Sequence, residues 1–144
     1  MKQANRRMRR RRNSGQTVVE FALVLPVLLA LVMGIMEFGW LGKNSLQLAN
    51  AAREGARKAS LGHTTASVRS GITARSSPLA VTTTIDYTID NTNYVTLTDS
   101  GGVNVAPKGS LIRVKVTSRH QPLTGILPFL WRRDLVASAQ FGRE

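Results

Sequence analysis

The chain has no cysteine and two histidines, His63 and His120. Without thiols there is no disulfide framework and no thiolate metal site, and two imidazoles do not make a zinc-ligand set. Acidic residues are scarce too: eight Asp and Glu stand against twenty Lys and Arg, and none precedes Glu20. Serine-hydrolase, phosphate-loop and dinucleotide fingerprints are missing, and no serine or threonine has a base at recognisable spacing. Catalysis, a metal and a cofactor are therefore not expected. Both histidines read as surface residues.

The formal net charge is +12, which invites a nucleic-acid reading. Its distribution argues otherwise. Lys2, Arg6, Arg7, Arg9, Arg10, Arg11 and Arg12 carry seven of the twenty positive charges, leaving thirteen basic against eight acidic residues and a net of +5 beyond residue 15. Such a tail binds phosphate nonspecifically. It lacks interleaved aromatics and adjoins an apolar run, so no specific nucleic-acid partner is expected.

That run, Phe21 to Met36, is sixteen residues without a charge. As a helix it reaches about 24 Å at 1.5 Å per residue. Val18, Val19 and Phe38 to Leu41 extend it toward the ~30 Å of a hydrocarbon core. Trp40 stands where an interfacial aromatic belongs, with Lys43 after it. A buried soluble helix would need far more apolar surface around it than the remaining chain offers. A cleavable signal peptide fits the leader, but Trp40 and Leu41 occupy the place of a small-x-small cleavage site. The paired Arg11 and Arg12 lack the rest of a twin-arginine signal. A retained span is expected, with Arg9, Arg10, Arg11 and Arg12 holding the front end in the cytoplasm by the positive-inside rule. The expected divisions are a basic cytoplasmic leader over 1–15, a transmembrane segment over 16–42, an amphipathic extension over 43–60 and an exported head over 61–144. Pro26 lies inside the span, as a mild bend or as a site of melting during packing.

Gly15-Gln16-Thr17-Val18-Val19-Glu20-Phe21, with basic residues before and the apolar run after, resembles the prepilin-peptidase site of type IV pilins. Met36-Glu37-Phe38-Gly39, Ala51-Ala52-Arg53-Glu54-Gly55-Ala56-Arg57 and the ending Leu135 to Glu144 narrow the resemblance to the TadE-like family. Those proteins are pseudopilins or minor pilins of the tight-adherence (Flp) pilus. The resemblance is strong over 14–60, moderate at the tail and slight over 61–134. It implies a bacterial inner-membrane protein that takes part in pilus assembly for surface attachment. Its implied partners are the lipid bilayer, prepilin peptidase, other Tad pilus subunits and inner-membrane assembly proteins, in homo- or hetero-oligomers. It further implies processing at Gly15 and Gln16, and a register role for Glu20 beside Phe21. One departure is plain: major type IV pilins begin the mature chain with an N-methylated aromatic or methionine, and here that position is Gln16. An uncut, bitopic component of the Tad assembly platform is the alternative.

Glu20 and Glu37 bracket the run. A carboxylate is costly at the bilayer centre and tolerable at its edge. Both read as solvated boundary residues, or Glu37 as part of an interface and Glu20 as the partner of a neighbouring subunit's new α-ammonium.

Beyond the span, Leu48, Ala52, Ala56 and Ala59 form a helical stripe of small residues ending near Ser60, where Gly62 stops the helix. Glu54 and Lys58 are spaced to pair. A short helix over Ala66 to Arg75 precedes four strands: Leu79 to Ile89, Tyr94 to Thr98, Ile112 to Val116 and Leu135 to Phe141. The expected fold is α+β, a long N-terminal membrane-spanning and amphipathic helix packed on a small antiparallel β-sheet with one wet face, as in pilins. The apolar stretch Gly125 to Trp131 reads as a core-capping loop or, through Phe129 and Trp131, as a partner-binding patch.

Overall fold

The computed structural model describes residues 12–123 and 133–144, with side chains from Gly15 onward. The chain divides into two units, the first ending at Gly39 and the second spanning Trp40 to Glu144. The first contributes one element, the leading part of helix α1 (Arg12–Ser60). From Gly15 to Met36 every residue of that part is exposed, and Pro26 sits within the continuous helix.

The second unit is the α+β head. The remainder of α1 lays its stripe of small side chains against a four-stranded antiparallel sheet: Leu48, Ala51, Ala52, Ala56 and Ala59 are all buried. Small side chains let a helix axis approach a neighbour closely. Gly55 carries this furthest, since a methyl there would stand 2.5 Å from Ile72 Cδ1. Helix α2 (Thr65–Ser76) contributes Val68 and Ile72 to the same core.

The junction between the two helices is heavily hydrogen-bonded. Gly62, at φ +90°, ends α1 in a left-handed turn; its amide donates to the Ala59 carbonyl at 3.0 Å and that of His63 donates to Lys58 at 3.2 Å. This 5→2 and 6→1 pair is a Schellman motif, which satisfies carbonyls the helix leaves open. Thr64 caps α2 by accepting from the Ser67 amide at 3.3 Å.

The sheet runs β2-β1-β5-β6, with β1 Val81–Thr88, β2 Val95–Thr96, β5 Leu111–Arg119 and β6 Asp134–Gly142. Ile85, Ile112, Val114 and Val116 face the helices, and Thr82, Thr84 and Lys115 face outward. A small separate sheet, absent from the expectation, pairs β3 (Asp99–Ser100) with β4 (Val103–Asn104). Gly101 and Gly102 both have positive φ, as a two-residue hairpin turn of the primed type requires.

Four readings need correction. The strand over Tyr94 to Thr98 shrinks to Val95 and Thr96, because the chain turns away to bury Leu97 and bring Asp99 to α2. Ile89 is 75% exposed; the alternation stops at Thr88, whose hydroxyl donates to the Asp90 carboxylate at 2.9 Å. His120 is buried, not a surface residue: it continues the inward parity of Val114, Val116 and Ser118, and its amide donates to the Arg133 carbonyl at 3.1 Å. Glu54 pairs with Arg57, at 3.1 Å, in place of Lys58. Lys58 instead lies against α2, where its Nζ would be 2.7 Å from a methyl added at Gly71.

Candidate functional site

α1 begins at Arg12, so the Gly15–Gln16 peptide bond lies within helical backbone. Gln16 Nε2 donates to Glu20 Oε1 at 3.1 Å, a one-turn contact across exposed side chains. Glutamine four residues before a carboxylate is a spacing that supports such a bond, so the pair was open to sequence reasoning and was missed. Glu20 is exposed, as a boundary residue should be, and Phe21 is 62% exposed beside it. Gly15 has no atom near the position of an added methyl.

Glu37, at the other end of the apolar run, behaves differently. It is 7% exposed and engaged in an interaction, so it is not a solvated boundary carboxylate. Burying a charge without a partner costs several kcal/mol, about as much as a small domain's net stability, which is why such groups are found engaged. Three residues on, half-buried Trp40 carries the Lys43 ammonium 4.3 Å from its ring centroid. That cation–π contact suits the water-facing end of an apolar helix, where an amphipathic ring meets a hydrated charge. Trp40 also lines a groove of the head, of about 450 Å³, with Asn44, Leu79, Ser118, Arg119 and Pro122.

Most of the remaining expected site residues lie beyond what the structure describes. Arg9, Arg10 and Arg11 lie outside the described residues, as do Phe129 and Trp131, and Arg12 opens α1. Among the described residues no three His, Asp or Glu side chains cluster in a way that could hold a metal ion.

The feature that stands out is the uninterrupted exposed apolar surface from Phe21 to Met36, including Leu23 at 72% and Val27 at 69% exposure. Water disfavours a surface of that extent, since monomeric soluble proteins rarely expose apolar patches above a few hundred Å². One helix of the described chain is long and apolar enough to cross a membrane, which is consistent with membrane anchoring.

Comparison with family models finds a similarity in this region. Residues 15–57 match the TadE-like protein family. The match falls wholly within α1, from the glycine of the processing-like motif to the arginine that pairs with Glu54. TadE-like proteins are pilin-like and structural, and the α+β arrangement of the head agrees with that similarity. Comparison with curated proteins and with solved structures finds no match. The head beyond Arg57 therefore stands on its own geometry.

Proposed function

We propose that this protein is a single-pass inner-membrane subunit, a minor pilin or pseudopilin, that takes part in assembling a tight-adherence pilus. The observation that carries the reading is the TadE-like match over a helix whose apolar surface is left exposed. In this reading the arginine-rich start stays in the cytoplasm, the segment from about Val18 to Leu41 spans the bilayer, and the head is exported. Prepilin peptidase cuts after Gly15, and Glu20 sets the axial register by meeting the new α-ammonium of a neighbouring subunit. The partners are other Tad pilus subunits and the assembly proteins of the inner membrane.

N-terminal sequencing of the protein from cells with and without prepilin peptidase tests the processing step. A chain starting at Gln16 only when the peptidase is present supports it. Met1 retained in assembled pili removes it. One observation favours a second reading, an uncut bitopic component of the assembly platform: helical backbone runs through the Gly15–Gln16 bond from Arg12. Proteases cut extended backbone, so processing requires the first turns of α1 to unwind. Protection of an N-terminal tag in intact cells, with the head open to external protease, supports the topology under both readings.

A further inference from the structure

β6 closes the head's sheet on one side, and no described residue covers its outer edge. The opposite edge is not. There β2 pairs with Asp86 and Tyr87, the Leu97 amide donates to the Ile85 carbonyl at 2.9 Å, and Arg69 Nη1 donates to the Thr83 carbonyl at 2.9 Å. All nine residues of β6 pair one-to-one with β5, without a bulge, and no described residue bonds its outward backbone groups. Such an edge is a template for another strand, which proteins commonly blunt with proline, charge, a bulge or a covering segment. β6 has no proline, and its one charged residue is Asp134 at the first position.

We propose that this edge receives an extended segment of a different protein subunit, apolar at alternate residues and acidic at the residues between. The two faces of β6 set that pattern. On the core side Leu135, Ala137 and Ala139 are half-buried and Phe141 is 40% exposed, so apolar side chains on an added strand complete their cover. On the outer side Lys115 stands opposite Ser138 and Arg113 opposite Gln140. Arg113 is paired with Asp86 at 3.2 Å, whereas no described acid pairs with Lys115. Strands lie about 4.8 Å apart, so an added strand runs about 10 Å from β5. A glutamate on it meets the Lys115 ammonium above the short Ser138 side chain, and a lysine there is repelled.

A second copy of this chain does not fit the edge through antiparallel pairing of the two β6 strands. Antiparallel pairing of two β6 strands about a two-fold axis runs their Trp40–Ser60 helical segments in opposite directions. Chains that enter one membrane in the same sense cannot pair so; this exclusion rests on the anchored reading above.

The test is amide hydrogen exchange on the full chain in detergent micelles, with a synthetic nine-residue peptide of alternating valine and glutamate. Alternate β6 amides are expected to exchange about tenfold more slowly with the peptide present. A valine–lysine peptide, or the glutamate peptide N-methylated at its edge-facing amides, is expected to leave them unchanged. The variant Lys115→Glu should reverse the preference. Equal protection by the N-methylated peptide, or outward-facing β6 amides already protected without any peptide, overturns the proposal. Because the chain lacks cysteine, Ser138→Cys reports on self-pairing directly. Oxidised full chain should stay monomeric, and a disulfide-linked dimer puts a second copy on the edge and sinks the different-subunit assignment. A failed peptide test with the N-terminal tag protected inside the cell removes the edge proposal alone. A tag found outside removes the anchored reading and leaves the peptide result standing.

Discussion

Arg143 Nη1 donates to the carbonyl oxygen of Ser60 at 3.0 Å, joining the last turn of α1 to a residue 83 positions later. The same residue closes the sheet margin, its amide donating to Ser110 at 2.7 Å and its carbonyl accepting from Gly109 at 3.0 Å. A guanidinium at a helix C-terminus meets both an open carbonyl and the negative end of the helix dipole. Arg143→Ala should therefore destabilise the head by about 1–2 kcal/mol, the scale of a partly buried charged hydrogen bond. Thermal melting of the full chain in detergent, followed by circular dichroism, should show a lowered midpoint, with far less loss for the exposed Arg53→Ala.

Gly55 and Gly71 face opposite fates on gaining a methyl. At Gly55 the new carbon meets Ile72 at 2.5 and 2.7 Å and Val114 at 3.4 Å, both of them buried in the core. Overpacking of this kind costs about 1–3 kcal/mol. At Gly71 the obstacle is the tip of Lys58, which swings into water. There the helix-propensity gain of about 1 kcal/mol for Gly→Ala is largely kept. Gly55→Ala should lower the melting midpoint and Gly71→Ala should leave it unchanged or raise it; the reverse order contradicts this packing.

The Asp90 loop carries a pH signature. Hydrogen bonds from the Thr92 side chain, and then from the Asn93 and Thr92 amides, hold the Asp90 carboxyl far below the usual carboxylate range. A depressed folded-state pKa contributes stability that is present above the unfolded value and is lost as pH falls through the folded one. Below about pH 4 the head should thus weaken progressively, with Asp90 still ionised near pH 3 in a carboxyl NMR titration. The difference between wild type and Asp90→Asn should shrink over the same descent. A difference that stays constant with pH would remove Asp90 from the account.

Glu20→Gln separates two roles of one residue. The substituted amide still accepts from Gln16 Nε2, so the contact within the helix survives while the charge is lost. If a neighbouring α-ammonium reads Glu20, pilus assembly should fall severely, with the protein's membrane level and melting midpoint unchanged. Normal pili from Glu20→Gln cells would refute the register role.

Much of the helix was legible because its determinants are local. The apolar run, the alanine stripe of Ala52, Ala56 and Ala59 and the stop at Gly62 are all properties of residues within a few positions of one another. The strands were legible in phase for the same reason, as Ile112, Val114 and Val116 alternate with charged neighbours. The failures occur where distant chain intervenes. Asp99 accepts from the Thr65 amide at 2.8 Å, and Asn104 Nδ2 donates to the Ala59 carbonyl at 2.8 Å and to that of His63 at 3.0 Å. The pair sits opposite one another in the β3–β4 hairpin, so a turn signal proved to be a clamp over the α1–α2 junction.

Taken alone, the sequence determined which stretch avoids water, where the helix that carries it stops, and which strand faces turn inward, since hydrophobic periodicity and a left-handed glycine act over a few residues. Only the tertiary structure decided that His120 is buried, that Arg57 rather than Lys58 takes Glu54, and that β1's edge is sealed while no described residue covers β6's. Those outcomes depend on which backbone groups and side chains are brought together from far along the chain, and strand order is a property of the pairing that no single strand contains.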